Sequence, residues 1–201
     1  MKRLQWVIAG CLLAIVVAGG TFVWFRWFRQ PELHGFLIQD DLPVADFTLA
    51  AKDNQQVNLH DYRGKVVLLY FGYTHCPDMC PTTLAEVKYA LEKLGAQAND
   101  VQMIMISVDP ERDTPASLAD YVQRFDKRFI GVTGTSDEIQ ATASAFGIAY
   151  YKEEGSAATG YLVAHSAQLL VVDRSGHVRL IFKFGTPGDQ MASDLKYLLS
   201  L

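Results

Sequence analysis

The run Lys65–Gly72, KVVLLYFG, leads directly into Cys76-Pro77-Asp78-Met79-Cys80-Pro81, and this junction constrains the chain more than any other feature. A continuous β-branched and aromatic run behind Arg63-Gly64 reads as a strand buried on both faces, which needs covering layers on either side. The cysteines come next. Beyond Pro81 the apolar positions Leu84, Val87, Leu91 and Leu94 recur at three- and four-residue steps until Gly95, which predicts an amphipathic helix with a glycine stop. The spacing puts Pro81 at the first helical position, where its missing N–H costs nothing.

A second buried strand, VQMIMISVD, is expected over Val101–Asp109, and Thr114-Pro115 then opens a helix through Leu118, Tyr121, Val122 and Phe125. Phe129–Thr133 reads as a strand, Ser136–Phe146 as a helix and Ile148–Lys152 as a short strand. The small, polar residues Lys152–Gly160 read as an exposed loop. Ala167–Asp173 and Val178–Phe184 flank Arg174-Ser175-Gly176-His177 as a hairpin, and a closing helix runs over Gly188–Leu199. Upstream, Phe47–Ala50 and Gln56–Leu59 around Lys52-Asp53-Asn54 form an N-terminal β-hairpin. This order predicts an α/β, thioredoxin-like fold with insertions over residues 44–201.

With 201 residues the chain has room for one such core and an appendage. The appendage is at the front: Leu4–Phe25 carries no charge and is long enough to cross a roughly 30 Å hydrocarbon core as a helix. Residues 1–30 are read as one transmembrane anchor, closed by Trp24, Phe25, Trp27 and Phe28 with Arg26 and Arg29, and residues 31–43 as a linker. A cleaved signal peptide ending near Ala18-Gly19-Gly20 is an alternative. A lipoprotein box, Ile8-Ala9-Gly10-Cys11, is a weaker one, because few apolar residues precede Cys11. Basic residues flank the apolar run on both sides, so the positive-inside rule leaves its orientation open. The start is not the Arg- and Ser-rich amphipathic stretch of a mitochondrial transit peptide, which favours a bacterial chain.

The whole chain is at −4, and the first 30 residues hold Lys2, Arg3, Arg26 and Arg29 without an acid, so the body is more acidic still. No nucleic-acid partner is expected of it, since phosphate binding needs clustered Lys and Arg.

The chemistry is expected at the cysteines. At the mouth of a helix, backbone N–H groups and the helix dipole favour a thiolate. Redox pairs usually have two intervening residues; three leave Cys76 on an adjustable loop, and two adjustable thiolates suit a soft metal such as copper(I), with an imidazole helping to hold copper(II). A structural disulfide is the competing reading of the pair. Among the histidines, His34, His60 and His177 read as solvated surface residues. His165 follows the Lys152–Gly160 loop and precedes a strand, where a thioredoxin fold brings a loop against its cysteines, although a lone histidine there is more often structural. No proline occurs between Lys152 and Asp173, where a thiol oxidoreductase of this fold has one. Cys11 reads as a small buried hydrophobe, Met79 as a packing residue, and Asp109, Arg112 and Asp113 as loop and helix-cap residues.

KVVLLYFGYTHCPDMCPTTL from Lys65, ISVDPERDTPASLADYV from Ile106 and FIGVTG from Phe129 together resemble the Sco (SenC) family of copper chaperones, over about Leu37 to Leu201. The resemblance implies copper ligation, as Cu(I) and Cu(II), by Cys76, Cys80 and His165, the last in VAHSAQLLVVD. It implies delivery of copper to, or thiol preparation of, the CuA centre on the copper-bearing subunit of cytochrome c oxidase. It also implies an anchor in the bacterial inner membrane with the domain facing the periplasm. Many relatives have Asp before that histidine, where this chain has Ala164. The alternative functions are a thiol–disulfide oxidoreductase using Cys76 and Cys80, for which this would be an enzyme, and a peroxidase of related fold, for which the spacing of Thr74 and Cys76 is wrong.

Overall fold

The computed structural model describes residues 2–28, 32–38, 44–156 and 160–201, with the side chains of the first segment only in part. It divides into two units, one ending at Glu32 and one spanning Leu33–Leu201. The first unit is helix α1, Lys2–Phe28. Among the described residues no helix is long and apolar enough to cross a membrane. The Cys11 side chain lies outside the described residues.

The second unit contains β1 (Phe36–Leu37), β2 (Thr48–Ala50), β3 (Gln56–Asn58), β4 (Val66–Gly72), α2 (Met79–Leu94), β5 (Val101–Ser107), α3 (Pro115–Val122) and β6 (Ile130–Val132). It continues with α4 (Ser136–Ala145), β7 (Tyr150–Glu154), β8 (Tyr161–His165), β9 (Leu169–Val172), β10 (Val178–Phe182) and α5 (Gly188–Leu199). Six strands form one sheet in the order β1-β10-β9-β4-β5-β6. Strands β4, β5 and β6 run parallel, and β9 pairs antiparallel with both β4 and β10. Parallel neighbours need crossovers, and the helical spacings after Pro81 and Thr114 supply them as α2 and α3. All seven residues of β4 are buried, as a central strand covered on both faces requires. The expected β2–β3 hairpin is present, with Asp53 and Asn54 of its turn at positive φ.

Three local expectations change. Part of the supposed linker belongs to the sheet: Phe36 and Leu37 pair antiparallel with Ile181 and Leu180 of β10. His34 is no free surface residue, because its backbone N–H and its Nδ1 both reach the carboxylate of Asp194 on α5, at 2.8 and 2.9 Å. Gly35 N–H donates to the same carboxylate at 2.8 Å. Residues 29–30 of the expected anchor, and 31 and 39–43 of the linker, lie outside the described residues.

Second, α2 starts at Met79, two residues before Pro81, so Cys80 lies inside the first helical turn. Proline is still tolerated in that turn, where N–H groups have no intrahelical acceptor. Third, Lys152–Glu154, read as the start of an exposed loop, belong to a two-stranded arm: β7 pairs antiparallel with β8 from Tyr150 opposite His165 to Glu154 opposite Tyr161. Residues 157–159 at its tip lie outside the described residues.

Candidate metal centre

The cysteine loop leaves the end of β4, beside the end of the parallel β5, and enters α2. Three side chains meet there. Cys76 is on the loop, Cys80 in the first turn of α2, and His165 is the last residue of β8; their Sγ and ring-nitrogen atoms all lie within 4.8 Å of one another. The His165 Nε2 is 3.7 Å from Cys80 Sγ. The backbone N–H of Cys80 donates to Cys76 Sγ at 3.4 Å, the helix-mouth contact that favours a thiolate. Both cysteines are free thiols, and both are buried.

Aromatic side chains from β4 and the start of the loop form the walls. Tyr70 and Tyr73 each meet the His165 ring edge-on, with centroids 6.1 and 5.9 Å away, and the Tyr70 hydroxyl donates to Cys80 Sγ at 3.7 Å. Val163 N–H of β8 donates to the Tyr73 hydroxyl at 3.2 Å. Gly72 gives the sulfur its room: a Cβ there would sit 2.8 Å from Cys80 Sγ and 2.9 Å from the Tyr70 ring. His165 Nδ1 is buried without a hydrogen-bond partner. Ala164 faces Tyr151 across the arm and supplies no carboxylate to that nitrogen.

The two thiols are driven apart electrostatically. Hydrogen bonding from the Cys80 thiol lowers Cys76 most, burial opposes it, and the His165 ring with the backbone N–H groups of Cys80 and Asp78 brings Cys76 down to about 4. Cys80 is pushed up, first by the neighbouring Cys76 sulfur and then by burial. In the apo site the thiolate is therefore favoured on Cys76 and the thiol on Cys80. Two sulfurs and one nitrogen fit a soft or borderline metal such as copper, and loading it releases the remaining thiol proton.

Asp109, Arg112 and Asp113 lie in the loop after β5, as expected, but none of them caps α3. The cap of α3 is Thr114, whose side chain accepts from Ser117 N–H. Asp109 and Asp113 are buried, and Asp113 accepts from the Ser107 hydroxyl at 2.7 Å and from the Thr74 N–H at 3.0 Å. His60 and His177 lie in turns away from the cluster, His60 exposed and His177 half-buried. Met79 is half-buried and packs against the core. Sequence reasoning missed Tyr70, Tyr73, Gly72 and Tyr161 because strand and loop aromatics carry no sign of which one faces a site.

The sequence profile of the SCO1/SenC family matches residues 38–200. This chain belongs to the SCO1/SenC family. A SCO2-like protein of Rickettsia felis is 32% identical to it over 171 residues, which cover 82% of this chain and 83% of that protein. Bradyrhizobium japonicum ScoI with copper bound is 34% identical, superposes with a TM-score of 0.71, and is matched over 99% of its length by 78% of this chain. The BsSco structure, described as showing a disulfide switch in a member of the Sco family of cytochrome c oxidase assembly proteins, is 28% identical with a TM-score of 0.60, over 82% of this chain and 98% of that one. The family shares the mixed α/β, thioredoxin-like fold.

Proposed function

We propose that this chain is a membrane-anchored copper chaperone that holds its cargo through Cys76, Cys80 and His165 and delivers it to the copper-bearing subunit of cytochrome c oxidase. The observation that carries this reading is the convergence of two sulfurs and one imidazole within 4.8 Å from segments 85 residues apart in sequence. The copper-bound ScoI relative and the oxidase-assembly role of the family to which BsSco belongs support the choice of metal and recipient. The uncharged run Leu4–Phe25 supports a single membrane-spanning anchor. In this reading the domain faces the periplasmic side of a bacterial inner membrane, which free thiols serving an oxidase copper centre support.

Titration of the reduced and oxidised protein with copper tests the ligand set. Cys76→Ser and Cys80→Ser should each abolish tight binding of both valences. His165→Ala should weaken copper(II) binding and its sulfur-to-copper charge-transfer band more than copper(I) binding, because two thiolates alone satisfy copper(I) in a near-linear site. Unchanged copper(II) spectra and affinity in His165→Ala would remove His165 from the site.

A second reading, reduction of a target's disulfide, is favoured by the low Cys76 thiol beside a protonated Cys80. In it the Cys76 thiolate attacks the target disulfide to form a mixed disulfide. Cys80 then gives up its proton, displaces the target thiolate and closes a Cys76–Cys80 disulfide. Loss of target reduction in Cys76→Ser, with copper delivery by the wild type absent, would favour this reading.

A further inference from the structure

The three ligands belong to two separate pieces of chain, the cysteine loop and the β7–β8 arm, and one five-residue loop grips both. Asp109–Asp113 follows β5 and is closed on itself, with the N–H groups of Arg112 and Asp113 donating to the Asp109 carbonyl at 3.1 and 2.9 Å. Toward the cysteine loop, Asp113 accepts from the N–H and the hydroxyl of Thr74, two residues before Cys76. Toward the arm, the Tyr161 hydroxyl donates to Asp109 at 2.6 Å, and Arg112 Nη1 donates to the Tyr161 carbonyl at 3.0 Å. The Arg112 guanidinium lies 3.7 Å from the centre of the Tyr161 ring and 5.7 Å from that of Tyr73, and its Nε donates to Asp109. Asp109 and Asp113 are each almost fully buried, so these contacts are shielded from water and restrict the arm far more than surface pairs do.

We propose that Asp109–Asp113 is a frame that sets the distance between the cysteine pair and His165, with Arg112 and Tyr161 acting as positioning residues for the third ligand. This rests on the reading of His165 as a copper ligand. The need for an outside support follows from His165 itself: its Nδ1 has no hydrogen-bond partner to orient the ring, so the ring's place depends on its Tyr70 and Tyr73 walls and on where β8 is held. Tyr161 is the first residue of β8 and His165 the last, so the frame holds one end of the strand that carries the ligand at its other end. A planar guanidinium that both donates in its plane and stacks on its face suits this task, and a lysine does not reproduce it.

The test compares copper(II) with copper(I) in Arg112→Ala, Arg112→Lys and Tyr161→Phe, beside wild type, His165→Ala and Arg174→Ala. Arg174 pairs with Asp100 at 3.4 Å on the exposed surface, outside the frame and the arm, and serves as the control for loss of a surface contact. Arg112→Ala should weaken copper(II) roughly tenfold and alter its charge-transfer band, as removal of an outer support of a metal ligand does, and leave copper(I) nearly unchanged. Arg112→Lys should not restore the band, Tyr161→Phe should show a smaller change of the same kind, and Arg174→Ala should match wild type. Tyr161→Phe keeps the ring and removes one hydroxyl, so it decides the matter if Arg112→Ala fails to fold. Equal weakening of both valences, which a merely structural role would give, overturns the frame. So do wild-type copper(II) spectra in Arg112→Ala and Tyr161→Phe while His165→Ala loses its band. If His165→Ala also keeps its band, the ligand assignment fails and takes the frame with it.

Discussion

Gly72 is the last residue of β4, and any side chain on it would strike the sulfur that it supports. The atoms in the way are Cys80 Sγ at 2.8 Å, the Tyr70 ring at 2.9 Å and the Met105 methyl at 3.0 Å, all packed in the core. Gly72→Ala should therefore cost about 1–3 kcal/mol in denaturant titrations, as overpacking does, and should also weaken copper binding, because relief is easiest by moving the sulfur. An alanine variant of wild-type stability and copper affinity would show that the contact yields freely. The neighbouring thiols make a separate prediction. In the reduced apo protein one thiolate should absorb in the ultraviolet from neutral pH downward and disappear only as pH falls through about 4. Cys80→Ala removes the hydrogen-bond donor that lowers Cys76 most, and should raise that midpoint; an unmoved midpoint would leave the helix mouth as the main cause.

Among the elements, the β9–β10 turn was the most legible, since Arg174-Ser175-Gly176-His177 between two apolar runs announces a hairpin. Its chemistry concentrates on Asp173. Burial pushes that carboxyl up, but the His177 N–H, the Ser175 hydroxyl and Arg179 outweigh it and hold Asp173 down at about 2. The sign follows from linkage: a depressed acid contributes stability fully above its unfolded value near 3.8 and loses it as pH falls through about 2. Asp173→Asn should thus lower the melting temperature at neutral pH and converge with wild type toward pH 2, and a pH-independent difference would assign the effect to shape. The β7–β8 arm was legible only at its start, where Ile148–Lys152 reads as a strand. Lys152, Glu153 and Glu154 are polar and exposed, so the pairing is made by backbone groups that leave no alternating pattern. The cysteine pair was visible from its spacing, and His165 from family resemblance, but no periodicity tells which way Asp109 and Asp113 turn after β5.

At the scale of the molecule, the folded unit starts at Leu33, earlier than composition suggests, because a two-residue edge strand is too short for a pattern. The cost of omitting it is large. A chain beginning at Leu33 should outlast one beginning at Val44 in urea by at least about 2 kcal/mol, since the latter strips Asp194, only 1% exposed, of its donors from His34 and Gly35. Equal midpoints would demote β1 to decoration. The same contact orders events in time. His34 and Asp194 are 160 residues apart, and β1 has no strand to pair with until β10 exists. A chain made from its N-terminus therefore carries its first strand unpaired through nearly the whole of synthesis. Closure waits for the final helix, which makes completion of the sheet edge a late, slow step that brings together distant parts of the polypeptide.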